Sequence, residues 1–279
     1  MGRIPTISLV VLLGGMSALV LSGTTRAWAW GTEGHQIVAI IAADNLTPNA
    51  RTHVAKILRV SAKKKAVATA MAAAAIRPDT QFRNSNPETK PWHFIDLCLQ
   101  DTQSDLPARC PNQECVVAKI DEYTARLRDG HADHFGAKGD VAFLLHFVGD
   151  IHQPLHTATN ADRGGNCVQV AASPASENLH HTWDTVLVQQ VENAVDAGTV
   201  QATARKLETK YGPEKATFAW QPDGTAAVAW ESTGIARKEI YTALPLPEQS
   251  CEPNLASCQN VHAGTVTLSA DERKRESDI

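Results

Sequence analysis

Within eleven residues the chain places His146, Asp150, His152 and His156, and a glycine-rich turn carrying Asp162 and Asn166 follows. His146 and Asp150 are four apart, which on a helix sets an imidazole and a carboxylate one turn apart on one face. The run from Val141 to Val148 is otherwise apolar, so this helix is expected to be buried, and a buried His and Asp need a partner. A metal ion suits both. Pro154 interrupts the helix, which frees His156 to approach from another direction. A satisfied core pair would show the same His-x3-Asp spacing; the His-Gln-Pro-Leu-His that follows sets this stretch apart.

A second His-x3-Asp pair, His180 and Asp184, lies further on, and Asp79 and His93 flank an upstream polar loop. His35 stands close to an expected new amino terminus at Trp30. Nitrogen and carboxylate ligands without thiolate favour zinc over manganese or iron. Their number exceeds the needs of one ion, so a cluster of two or three is expected. Such a cluster suits phosphoester hydrolysis, polarising the phosphoryl oxygen, lowering the pKa of an attacking water and stabilising the departing oxyanion. Asp150, with ligand candidates on both sides, is the candidate bridging carboxylate. Asp162 is expected to orient a ligand histidine from behind, and His152, turned off the 146/150 face, is given a similar supporting role. The plainer reading makes each His-x3-Asp a buried structural pair and His35 and His93 ordinary partly buried histidines. His53, His131, His134 and His262 sit in polar surroundings and read as surface. Phe82 and Phe94 could stack on a base, although core packing is the default reading of Phe94.

The chain opens with Arg3, an almost uncharged run from Ile4 to Thr25, and Ala27-Trp28-Ala29, the pattern of a secretory signal peptide cut after Ala29. No later stretch has the length and hydrophobicity to span a bilayer, so no membrane anchor is expected after processing, and the protein reads as secreted or periplasmic. The mature chain is long enough for one sizeable core or at most two small domains. All six cysteines, Cys98, Cys110, Cys115, Cys167, Cys251 and Cys258, lie in it, and in an oxidising compartment they suggest up to three disulfides. Proximity favours Cys110 with Cys115 and Cys251 with Cys258, leaving Cys98 with Cys167, one of several formal pairings. A net charge of −4 and a pI near 6.2 argue against wrapping of duplex nucleic acid by bases alone.

The elements that would carry these residues are mostly helical. Apolar spacing predicts helices over 35–41, 49–60, 116–127, 138–151, 178–191, 200–207 and 226–241. Residues 61–76 are Lys- and Ala-rich, 80–90 and 99–114 read as loops, and Cys167 to Val170 as an extended segment. From Leu244 the composition shifts to a Pro- and Cys-bearing tail with a charged, disordered end. The fold class is therefore all-α, with short extended segments.

The W-G-x-x-G-H start, the R-P-D and W-H-F-I-D blocks, F-L-L-H-F-V-G-D-I-H-Q-P-L-H, D-x-G-G-N and N-L-H-x-x-W-D together resemble the S1/P1 nuclease family from Trp30 to Tyr241. The resemblance implies a single helical domain over 30–243, after a signal peptide over 1–29 and before a disulfide-clipped tail over 244–279. It implies three zinc ions per chain at the bottom of a cleft. Asp79, His93, His146 and Asp150 would hold one, and His156, His180 and Asp184 a second. Trp30, through its α-amine and carbonyl, would hold the third with His35 and Asp150. Phe94 and Asp96 match positions that bind a nucleobase, and Asn166 one beside the scissile phosphate. The implied reaction is endonucleolytic hydrolysis of single-stranded DNA and RNA to 5′-phosphorylated products, with 3′-nucleotidase activity on nucleotides. A zinc phospholipase C is the nearest rival and a non-enzymatic zinc-binding protein a further one. No obligate protein partner is implied, and a monomer is the default. One departure stands out: where the family often has a basic residue three positions after Asp79, this chain has Phe82, with Arg83 next.

Overall fold

The computed structural model describes residues 30–170, 177–194, 199–212, 224–244, 246–251, 258 and 265–266. The expected signal peptide and the last thirteen residues of the tail lie outside them. The protein is mainly helical. Helices α1 (Thr32–Asp44), α2 (Pro48–Leu58) and α3 (Lys64–Ala75) come first, followed by a π-helical turn at Pro78–Phe82 and the single turn α4 (Arg83–Ser85). A 3-10 segment, Pro87–His93, leads into strand β1 (Leu97–Cys98). After the short α5 (Leu106–Arg109) come α6 (Val116–Asp129) and α7 (Gly136–Ile151). Strands β2 (Ala158–Thr159), β3 (Gln169–Val170) and β4 (Glu177–Asn178) follow. Then α8 (Leu179–His181) runs through a π turn, Thr182–Val186, into α9 (Leu187–Ala194). The described chain ends with α10 (Val200–Tyr211), α11 (Gly224–Ile235), its π-helical extension Ala236–Tyr241 and β5 (Thr265–Val266).

Helix α7 is the axis. Apolar nearly all round, it is buried on almost every side, as such a helix must be. Phe143, Phe147 and Ile151 pack with Ile120 and Tyr123 of α6, Trp92, and Val228 and Ala229 of α11. A small-residue layer lies on its other side, where Ala39 and Ala43 of α1 meet Val67, Met71 and Ala75 of α3. Gly149 is needed where α1 approaches α7, because a Cβ there would stand 2.8 Å from His35 Nδ1.

The stretch 80–90, expected as loop, is instead a succession of short helical turns. Its polar side chains bond back to the preceding turn, Thr80 Oγ1 to the Ile76 carbonyl and Ser85 Oγ to the Gln81 carbonyl. The strands are short: β1 pairs parallel with β2, and β3 lies between antiparallel β4 and parallel β5.

The disulfide pairing corrects the expectation made on proximity. Cys110 bonds Cys115 as expected, but Cys98 bonds Cys251 and Cys167 bonds Cys258. The reason is that the described residues of the tail lie along the body. Leu244 and Leu246 pack in the cluster of Leu155, Val168, Leu179 and Ile240. Asn160 exchanges hydrogen bonds with the Pro247 carbonyl and the Gln249 amide, and β5 adds an edge to β3.

Candidate metal centre

Several elements bring the candidate ligands together, with His35 coming from α1. Helix α7 delivers His146 and Asp150, both fully buried, on one face. The parallel pairing of β1 with β2 sets His93, just before β1, beside His156, just before β2. His156 Nδ1 donates to the His93 carbonyl at 2.8 Å, and the Ile95 amide donates to the His156 carbonyl at 2.8 Å. His180 and Asp184 come from α8 and the π turn after it. Asp79 also sits in a π turn, so two of the three carboxylates lie where one extra residue is inserted into a helix, a local irregularity frequent at functional sites.

Asp150 is the hub. Its Oδ1 is 3.4 Å from His35 Nε2, and its Oδ2 is 3.1 Å from His93 Nδ1 and 3.3 Å from His146 Nε2. Asp79 closes the second of these groups, 3.7 Å from His93 Nδ1 and 3.6 Å from His146 Nε2. A third group has Asp184 3.8 Å from His156 Nε2 and 3.3 Å from His180 Nε2. In each of the sets His35/His146/Asp150, Asp79/His93/His146 and His156/His180/Asp184, the potential ligand atoms lie within 4.8 Å of one another.

The donor set suits cations. Asp150 Oδ1, Asp184 Oδ2 and His156 Nε2 are buried atoms with no hydrogen-bond partner, a state proteins avoid unless something else binds there. His146, His156 and His180 each give Nδ1–H to a backbone carbonyl, of Ala75, His93 and Gly164, which leaves Nε2 as a lone pair aimed at the group. Burial pushes the Asp150 carboxyl up to about 7 and that of Asp184 well above its ordinary range. It also pushes His180 down to about 4 and His146 and His156 well below their usual value. The metal-free centre is thus held near neutrality, and divalent charge would favour the carboxylates.

Trp30 sits between the groups. Its indole Nε1 donates to the Gly149 carbonyl at 2.7 Å, one residue before Asp150, and the Gly31 amide donates to the Asp184 carbonyl at 2.5 Å. Phe94 is 37% exposed. Asp96, two residues on and exposed on the same side of this extended segment, has its carboxyl pushed upward by surrounding protein and then by the like charge of Asp162. Arg83 Nη1 is 3.3 Å from Asp79 Oδ1. The π turn explains that reach: its inserted residue rotates Phe82 into the Phe135 and Phe143 rings and brings Arg83 round to the centre.

Two supporting roles differ from expectation. His152 is exposed and its Nδ1 bonds the Val148 carbonyl, because two residues past Asp150 the helix has turned away. The buried Gln153 stands behind the centre instead: its Nε2 donates to Asp184 Oδ1 at 2.5 Å, and its Oε1 accepts from the Leu155 amide. Its position inside His-Gln-Pro-Leu-His was the only available signal. Asp162 touches no ligand histidine. It accepts from Tyr241 Oη at 2.9 and 3.0 Å and from the Asn160 amide, and so pins the turn whose Gly164 carbonyl holds His180. That turn bends through positive φ at Ala161, Arg163, Gly164 and Gly165; at Gly164 a Cβ would stand 2.3 Å from the Leu155 carbonyl oxygen. Asn166, at its end, donates to the Arg163 carbonyl and leaves its side chain partly exposed.

A helical scaffold that gathers eight buried His and Asp side chains, Asp150 at their hub, is the architecture of a multinuclear metal centre. Residues 30–260 match the family model described as S1/P1 Nuclease. The chain is 30% identical over 253 residues to Endonuclease 4 of Arabidopsis thaliana, an alignment covering 86% of this chain and 79% of that protein. It is 31% identical over 196 residues to Nuclease S1 of Aspergillus oryzae, covering 69% and 66%. To Nuclease P1 of Penicillium citrinum it is 30% identical over 185 residues, covering 64% and 65%. The chain belongs to the S1/P1 nuclease family and is a nuclease, a phosphodiester hydrolase.

Proposed function

We propose that this is an exported, zinc-dependent endonuclease acting on single-stranded DNA and RNA, releasing 5′-phosphorylated products and removing 3′-phosphates from nucleotides. The packing of three buried His/Asp groups side by side, two of them sharing Asp150, with exposed Phe94 on the adjoining segment, carries the reading. Zinc is favoured by the all-nitrogen-and-carboxylate donor set. His35 and Asp150, with the amine and carbonyl of a processed Trp30, would hold one ion. Asp79, His93, His146 and Asp150 would hold the second, and His156, His180 and Asp184 the third. Bound there, zinc supplies Lewis-acid polarisation of the phosphoryl group and a nucleophilic water at neutral pH.

The chain's own residues do the rest. Phe94 offers a ring face to a splayed base, a contact that duplex stacking forbids and a single strand permits. Asp96 accepts hydrogen bonds from that base's edge. The Arg83 guanidinium, oriented by Asp79, meets the phosphate charge, and the Asn166 amide borders the same phosphate. Asp79 and Asp150 would hold the reacting oxygens' surroundings in register. The catalytic unit spans 30–243, with the described residues of the tail held against it, and it acts as a monomer.

Metal content of the protein beginning at Trp30, measured with hydrolysis of single-stranded DNA, RNA, duplex DNA and phosphatidylcholine before and after chelation, tests this. About three zinc per chain and cleavage of single strands lost on chelation is the expected result. Lipid hydrolysis with inert nucleic acid would move the assignment to a phospholipase C, and zinc without hydrolysis to a structural metalloprotein.

A further inference from the structure

The net charge of −4 conceals a segregated distribution. From Asn45 to Pro78 the chain carries Arg51, Lys56, Arg59, Lys63, Lys64, Lys65 and Arg77 and no Asp or Glu, so the rest of the chain carries −11 to balance these seven bases. Lys56, Arg59, Lys63, Lys64 and Lys65 are exposed, and among the described residues none of them is paired with a carboxylate. Arg51 staples the α2–α3 link by donating to the Ala62 carbonyl.

Three of these bases are badly placed for folding. Lys63 is the N-cap of α3, and Lys64 and Lys65 are its first residues, with no acid in the first turn. That sets three positive charges against the positive end of the helix dipole, where an anion is favoured. The other end of α3 is at the metal centre, since the Ala75 carbonyl holds His146. Twelve residues of helix place the lysine cluster about 18 Å from that carbonyl. Arg77 and Arg83 lie just past that end of α3, so bases stand at both ends of the helix, the second set beside the cleft.

We propose that the α2–α3 surface around Arg59, Lys63, Lys64 and Lys65 is a second docking site for the single-stranded nucleic-acid backbone, engaging phosphates several nucleotides away from the one being cleaved. This rests on the nuclease reading above and adds a substrate-length preference to it. Phosphate is the complementary partner: it is the one anion repeated along the substrate, and it would relieve the repulsion stored at the start of α3.

Two variants test it on the zinc-loaded enzyme: Lys63→Gln/Lys64→Gln/Lys65→Gln, and the charge reversal K63E/K64E/K65E. Binding of a non-cleavable phosphorothioate strand is read by anisotropy against salt, and kcat/KM is measured on a dinucleotide and on a long single strand. Loss of two phosphate contacts corresponds to roughly tenfold weaker strand binding at physiological salt and a log–log salt slope shallower by about 0.7 per contact. The dinucleotide kcat/KM should stay unchanged. The reversal variant should melt higher, its acids now matching the dipole, while binding the strand still more weakly, so lost binding cannot be ascribed to misfolding. Equal losses on dinucleotide and long strand, or an unmoved salt slope, would overturn the proposal. So would anionic phosphatidylglycerol vesicles losing attachment in the variants while strand binding stayed intact. If the wild type cleaves nothing, the nuclease reading falls, and the binding arm still reports on the surface.

Discussion

Replacing Cys98 and Cys251 together by alanine tests how the tail is fastened. With Cys167–Cys258 in place, the Cys98–Cys251 bond closes a ring of roughly 75–80 residues, from Cys98 to Cys167 and back through Cys258 to Cys251. In the chain-entropy treatment that ring contributes about 4.5 kcal/mol, against about 2 kcal/mol for the five-residue separation of Cys110 and Cys115. For a chain of this size the first corresponds to a melting point lower by about 9–18 °C and the second by about 4–8 °C. The assay is calorimetry of C98A/C251A beside C110A/C115A, with free thiols counted in each denatured protein. The observed pairing leaves no free thiol in C98A/C251A. Two free thiols there would mean that Cys167 and Cys258 had each lost a different partner, and a melting point no lower than that of C110A/C115A would refute the long-ring reasoning.

Other consequences are local to the centre. Tyr241→Phe removes the hydroxyl that bridges both oxygens of Asp162, so the Gly164 turn should loosen and zinc retention at the His156/His180/Asp184 group should fall about 10–100-fold; chelator competition should then show one ion leaving ahead of the others. Asp150→Asn should lower zinc stoichiometry by two, because two groups share that carboxylate, whereas Asp184→Asn should lower it by one, as read by elemental analysis. Zinc binding to metal-free protein should release protons below neutrality: with Asp150 pushed up to about 7, its carboxyl is roughly nine-tenths protonated at pH 6 and about one-tenth at pH 8. Affinity should therefore climb as pH rises toward 7 and flatten above it, measurable by calorimetry in buffers of different ionisation enthalpy.

What could be read from the residues alone was local. His146 with Asp150 and His180 with Asp184 are neighbours by helix geometry, and that spacing survives in the fold, even across the π turn at Asp184. The Phe82/Arg83 departure could not be resolved from spacing, since one inserted residue decides which side chain faces the centre and a π turn leaves no mark in composition. For a similar reason Gln153 takes the supporting place expected of His152, and Asp162 acts on the turn instead of on a ligand histidine. Which polar side chain stands behind a ligand depends on the turn after Pro154 and on Tyr241, far away in the chain. Likewise Cys251 and Cys258 are close in sequence yet bond elsewhere, because the packing of Leu244 and Leu246 sets where the tail runs.

The electrostatics of the centre bear on the order of assembly. Eight buried His and Asp side chains would destabilise the fold by several kcal/mol each if charged and unpaired. Burial instead raises the carboxyls and lowers the imidazoles, so the metal-free protein reaches its fold with the centre near neutrality. Three ligand histidines already have their tautomer set by backbone carbonyls, and the hydrophobic cluster around α7 is built from other side chains. Folding should therefore precede loading, in contrast to small domains that fold only on zinc. The sign for acid follows from the same shifts. His180, lowered from its usual value to about 4, is neutral when folded while the unfolded chain binds a proton, so its contribution is complete above about pH 6.5 and is lost as pH falls to 4. Asp150 acts oppositely, its contribution being largest below about pH 4 and lost as pH rises through 7. Metal-free protein at neutral pH should keep its helical circular dichroism and melt cooperatively. Each zinc at a hundredfold excess over its dissociation constant should then add about 2.7 kcal/mol, or about 5–11 °C. Loss of helix on chelation would show that the metals build the scaffold, and the neutral-centre reasoning would have to be given up.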